Sequence, residues 1–189
     1  MELGSAVVLV TGIMASGKST VAHLLAERLP RSVHVRGDVF RRMIVSGRAE
    51  FLPEPSAEAL AQLRLRYRAS AATADVYAQA GWTAIVQDVV LGGFLDEYVA
   101  AVRTRPLYLV VLAPSPEAVA AREAARAKTG YGAWTVEMLD RSLRHETPRR
   151  GLWLDSTHQT PGETVDAILA RLTEARIDEA RIDEARIDD

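Results

Sequence analysis

The chain contains no cysteine, which excludes disulfides, thiolate metal centres and cysteine nucleophiles. Lysine is nearly absent too: it stands only at Lys18 and Lys128, while arginine is plentiful. Neither sign of charge dominates. A formal net charge of -2 provides no basic field, so duplex nucleic acid and an anionic membrane surface are poor partners and small molecules the better expectation. No long apolar run or basic leader pattern precedes the first strand-like segment, so the reading is a cytoplasmic protein without a membrane span. The four histidines, His23, His34, His145 and His158, lack paired metal-ligand spacing, and no serine sits in a G-x-S-x-G context. With 189 residues, the chain has the length of one ordinary domain.

What is present is organised around one stretch. Residues Gly12 to Ser19 read G-x-x-x-x-G-K-S, after the apolar run Ala6 to Val10 and before the helical pattern of Val21, Leu24, Leu25 and Leu29. Strand, glycine loop and helix in that order form a phosphate-binding loop, in which backbone N–H groups converge on an anion at a helix N-terminus. The candidate nucleotide-binding residues are Gly12, Ala15, Ser16, Gly17, Lys18, Ser19 and Thr20. Lys18 is placed to reach the β- and γ-phosphates of ATP, and the Ser19 hydroxyl to hold Mg²⁺.

Along the rest of the chain, strand-like runs alternate with helical patterns. Strand two, Ser32 to Val35, ends in Arg36, Gly37 and Asp38, and open parallel sheets put ligand-contacting residues at that end. Asp38 is there to accept a proton from a substrate hydroxyl, or to cap the helix that follows; both readings stand. Residues 46 to 56 form an irregular, proline-bearing loop beside the expected acceptor site. The next helix carries Leu60, Leu63, Tyr67, Ala71 and Ala74 as its apolar stripe, with Arg64 and Arg68 on a solvated face. Trp82 to Asp88 is a buried strand ending in an acid, and Asp88 there suits the support of Mg²⁺. Leu107 to Leu112 and Leu152 to Asp155 complete five strands, a doubly wound α/β phosphate-loop architecture of the nucleotide-kinase type with helices on both faces. Arg122 and Arg126, followed by Gly130 and Gly132, suit a lid over about 120–134 that closes on the triphosphate and neutralises transferring charge. The segment Glu-Ala-Arg-Ile-Asp, first at 174 and repeated at 179 and 184, reads as a charged tail of 174–189 beyond a kinase domain of 1–173. A role of the tail in an oligomer is left open.

Several of these pieces together resemble the chloramphenicol phosphotransferase family: Ile85 to Gly93, the lid-like run Ala121 to Arg126, His145-Glu146, and Leu154 to His158. The likeness runs from the phosphate loop to about Ile168. It implies ATP-dependent phosphorylation of a small-molecule hydroxyl, an antibiotic among the acceptors, with Asp38 at the position of the base. Gln87 stands where that family tends to have an acid. The alternatives are a kinase of the same architecture acting on a sugar, a shikimate-like metabolite or a nucleoside phosphate, and a non-catalytic ATP-dependent switch.

Overall fold

In the computed structural model, residues 3–125 and 131–177 are described. The sheet runs in the order β2 (Ser32–Arg36), β3 (Thr83–Gln87), β1 (Ala6–Gly12), β4 (Leu107–Leu112) and β5 (Leu152–Leu154), all parallel. The five expected strands are all found. Helices cover both faces of the central strand β1, so residues pointing to opposite faces are apolar alike. Val7 and Leu9 enter one core with α3 (Ala57–Gln79) and α4 (Phe94–Ala101). Val8 and Val10 enter the other with α1 (Lys18–Glu27) and α7 (Pro161–Ala170). This is the doubly wound arrangement with helices on both faces.

The structure adds a sixth strand that the sequence pattern does not announce. Arg176–Ile177 forms β6, antiparallel to β4, pairing Ile177 with Leu107 and Arg176 with Tyr108. β5 has only three residues and reaches Val110, Val111 and Leu112, so β6 covers the stretch of β4 edge that β5 leaves bare. Ala175 and Ile177 are buried. Residues 174–177 of the first copy of the repeat, which the sequence reading groups with the tail, therefore pack against the sheet. The later copies lie outside the described residues.

Four helices start on a side-chain cap, and α1 differs from them. Ser56, Ser115, Thr135 and Thr160 cap α3, α5 (Pro116–Ala124), α6 (Val136–Arg141) and α7 with side-chain oxygens. α1 begins on Gly17 instead, with no side-chain cap and no acid in its first turn. A first turn without its own acceptor keeps N–H donors for an outside anion.

His34 on β2 supplies a pH-dependent test of this packing. Its ring lies 5.8 Å from that of His23, and Nε2 is buried with no hydrogen-bond partner among the described residues. Burial first, then the charges of Arg36 and His23, bring its pKa from 6.5 down to about 4. The unfolded chain thus binds the extra proton between those values, so stability is complete above pH 6.5 and falls as the pH drops toward 4. Urea midpoints across that window should fall for the wild type and show a shallower slope for His34→Gln.

Candidate active site

The phosphate loop is built by close approach. Gly12 ends β1 at φ 143°, and a Cβ there would lie 2.4 Å from the Leu112 carbonyl and 2.9 Å from Ser16 Oγ. No side chain fits. Ala15 adopts φ 60°, a left-handed conformation that costs a non-glycine residue about 1 kcal/mol and marks a loop shaped for something other than connection. Lys18 is 7% exposed, and its Nζ donates to the Ile13 carbonyl at 2.6 Å and lies 3.5 Å from Ser16 Oγ. It is held inside the turn where phosphate oxygens would replace the carbonyl.

The sheet register brings the other candidates to the same edge. Val10, Gln87 and Arg36 pair across β1, β3 and β2, so Gly12 and Asp38 each emerge two residues beyond one row. At the usual strand spacing, β2 stands about 10 Å from β1, a separation suited to an acceptor beside a terminal phosphate. Asp38 lies in the first turn of α2 (Gly37–Arg42), whose cap position is Arg36 with no side-chain bond. The capping reading of Asp38 therefore falls. Arg42 holds Asp38 Oδ2 at 2.8 Å, while Oδ1 is buried, 3.7 Å from Arg36 Nε, and makes no hydrogen bond among the described residues. One oxygen is anchored by the close ion pair to Arg42, and the other has only the longer ion pair to Arg36.

The sequence expectation puts Asp88, at the end of β3, on the metal side. Asp88 is buried, and both of its oxygens face Arg66 of α3: Nε donates to Oδ2 at 2.7 Å, Nη2 donates to Oδ1, and Oδ1 also accepts from the Val89 N–H at 2.7 Å. Burial pushes the Asp88 carboxyl above its ordinary pKa, and the charge and hydrogen bonds of Arg66 oppose that shift. Gly37 closes over the same pair, since a Cβ there would come within 1.9 Å of Asp88 Oδ2. The Ser19 hydroxyl donates to Gln87 Oε1 at 3.0 Å. The Ser19 oxygen, neutral and hard, fits a cation already carried by phosphates.

The sequence singles out Arg64 and Arg68 on this helix, and the structure adds Arg66. Arg64 indeed serves the surface, pairing with Glu97 at 2.8 Å and lying over Phe94. Arg66 sits beside Tyr67 of the apolar stripe, and that adjacency to buried Tyr67 is the one signal the sequence holds for it. The Arg66–Asp88 clasp joins α3 to the end of β3 under α2. Asp88→Ala should destabilise the fold by about 3 kcal/mol, because it leaves a mostly buried guanidinium unpaired. Chemical denaturation would measure this, and a change under ~1 kcal/mol would place the pair among exposed ones.

On the far side of the loop, Arg122 of α5 donates to the Ser16 carbonyl at 3.4 Å and to the Ser156 carbonyl at 2.7 Å. It is therefore on the phosphate loop, although bound to backbone rather than poised over open space. Arg126 lies outside the described residues. After the residues outside the described set, Tyr131 Oη donates to the Met14 carbonyl at 2.8 Å, and Trp134 stacks on Phe51 with ring centres 5.9 Å apart. Trp134 Nε1 also donates to the Phe51 carbonyl at 3.0 Å. Gln62 fastens the same irregular loop to α3, donating to the Gly47 carbonyl and accepting from the Ala49 N–H, both at 2.9 Å. A separate open cleft lined by Pro116, Glu137, Asp140, Arg141 and His145 contains none of these residues. Among the described residues, no three His, Asp or Glu side chains gather as a metal site, and no helix is long and apolar enough to cross a membrane.

A central β1 ending in this loop, flanked by parallel strands whose ends carry Asp38 and Gln87-Asp88, defines an α/β protein with the fold of phosphate-loop kinases. The chain belongs to the AAA domain family, whose model matches residues 7–149. No curated protein sequence matches it. Among solved structures, it is similar to a sugar kinase from Janibacter sp. HTCC2649, with 21% identity, a TM-score of 0.67, and coverage of 90% of this chain and 95% of that one. It is also similar to a gluconokinase from Sinorhizobium meliloti 1021, with 21% identity, a TM-score of 0.61, and coverage of 89% and 92%. The Mycobacterium tuberculosis APS kinase in complex with AMPPNP and APS matches at 18% identity and a TM-score of 0.62, with coverage of 89% and 97%. At these identities, the structural likeness speaks for the fold.

Proposed function

We propose that the protein is an ATP-dependent phosphotransferase that moves the γ-phosphate of ATP to a hydroxyl of a small molecule. The observation that carries this reading is Asp38, with Oδ2 anchored by Arg42 and Oδ1 buried without a hydrogen bond among the described residues, on the sheet edge that bears the phosphate loop. A switch that only bound nucleotide would have no use for such an oxygen. The kinase names of the structural neighbours agree with it.

In this mechanism, loop N–H groups and Lys18 hold the phosphates and align the terminal group for in-line transfer. Mg²⁺, arriving with the nucleotide, would supply neutralisation of phosphate charge. The Ser19 hydroxyl would hold it from the protein side. Asp38 Oδ1 accepts the acceptor's hydroxyl proton as the oxygen attacks. Arg122, at the rim of the loop, adds positive charge near the transferring group.

The likeness to chloramphenicol phosphotransferases belongs to this proposal, so the acceptor is sought first among hydroxylated antibiotics and then among sugars and other metabolites. ADP release from Mg-ATP, with and without each acceptor and with Lys18→Ala as blank, tests the reading. Acceptor-stimulated ADP release is the expected result. ATP binding with no stimulation across the panel would favour the switch.

A further inference from the structure

We propose that Gln87, rather than Asp88, is the strand-end residue on the metal side of this site, and that it is a positioning residue that orients the Ser19 hydroxyl. The inference rests on the phosphotransferase reading above and concerns how the site handles its cation.

Two adjacent side chains leave β3 at this edge, and alternation along the strand sends them to opposite faces. Asp88 turns to the α3 side, where Arg66 and the Val89 N–H engage its oxygens and Gly37 packs over them. Its charge is committed there. Gln87 turns to the α1 side, is 5% exposed, and accepts the Ser19 Oγ proton at 3.0 Å. A hydroxyl that gives its proton to one partner keeps its oxygen lone pairs for another. Gln87 can only take that proton through its carbonyl, and so selects the Ser19 orientation in which the oxygen lone pairs face away from the strand. Outer partners of this kind set ligand orientation and typically govern metal affinity ~10–100-fold.

The amide has a second consequence. A carboxylate at the same place would bring a negative charge close to the phosphates, and it would need a cation beside it before the nucleotide could settle. Gln87 brings none. Nucleotide therefore binds without metal, and the cation is held by the phosphates together with one oriented hydroxyl.

The decisive measurement is equilibrium binding of a fluorescent ATP analogue to the full chain in EDTA and across a Mg²⁺ titration. The readout is the ratio of the two affinities. Gln87→Leu, which lacks the acceptor, should cut the Mg²⁺-dependent gain about 10-fold while leaving binding in EDTA unchanged. Gln87→Glu accepts the same proton and adds a charge, so its affinity in EDTA should fall and its Mg²⁺-dependent gain should equal or exceed that of the wild type. Asp88→Asn should keep the wild-type ratio. A Gln87→Leu variant with an unaltered gain would overturn the inference, as would an Asp88→Asn variant whose Mg²⁺ response collapses. If Asp88→Asn fails to fold, the two Gln87 variants decide the matter alone. Wild-type protein that binds no nucleotide in either condition would overturn the phosphotransferase reading and this inference with it, which separates that failure from a failure of Gln87 alone.

Discussion

Lys18→Ala should reduce acceptor-dependent ADP formation by at least ~100-fold, the scale seen when one preorganised charge is taken from a transition state. The size follows from where Lys18 sits. It is nearly buried, and its Nζ is held against the Ile13 carbonyl and near Ser16 Oγ, inside the turn that phosphate oxygens would enter. Water reaches such a site poorly, so no counterion replaces the lost ammonium at the moment charge shifts from the γ-phosphate to ADP. The fold should survive, because the Nζ contacts to Ile13 and Ser16 lie within one loop. Circular dichroism and a thermal melt would check this, and turnover within ~10-fold of the wild type would contradict the phosphate-contact role.

Asp38→Asn should behave differently. Affinity for ATP is expected to stay within about twofold, since the residue belongs to the acceptor side, whereas kcat should fall ~100- to 10,000-fold with the loss of a general base. The amide that replaces the carboxylate still meets Arg42 through its carbonyl oxygen, so the end of β2 should keep its shape. What disappears is the acceptor of a proton at Oδ1, the atom the structure leaves without a hydrogen bond among the described residues. Pre-steady-state measurement separates binding from chemistry. A variant with near-normal kcat would remove Asp38 from the mechanism and leave positioning by the loop to account for transfer.

The two predictions draw on different depths of information. The whole phosphate loop is legible in the sequence because its chemistry is local: the glycines, Lys18 and Ser19 stand within one contiguous segment, and the flanking periodicities declare strand and helix. Asp38 is legible by position but ambiguous in role. Only the backbone of α2 decides against capping, by putting Arg36 at the cap and Asp38 inside the turn. Arg66 is illegible, since a helical arginine next to a buried tyrosine looks like any arginine until the partner from β3 is placed against it.

Gln87 and Asp88 show most clearly where the boundary falls. Patterning alone determined the α/β class, the succession of five strands along the chain, the strand ending at these residues and the loop that faces them, because each depends on neighbours within a few residues. It assigned the charge to the metal because an acid at a strand end is the common solution. The tertiary structure puts Asp88 against Arg66 and Gln87 against Ser19, since which face of β3 meets which partner depends on sheet register and on two helices, α1 and α3, from distant parts of the chain. The same reason explains β6: Arg176–Ile177 is a strand only because a short β5 leaves an edge for it to pair with, a fact about the fold and not about those two residues.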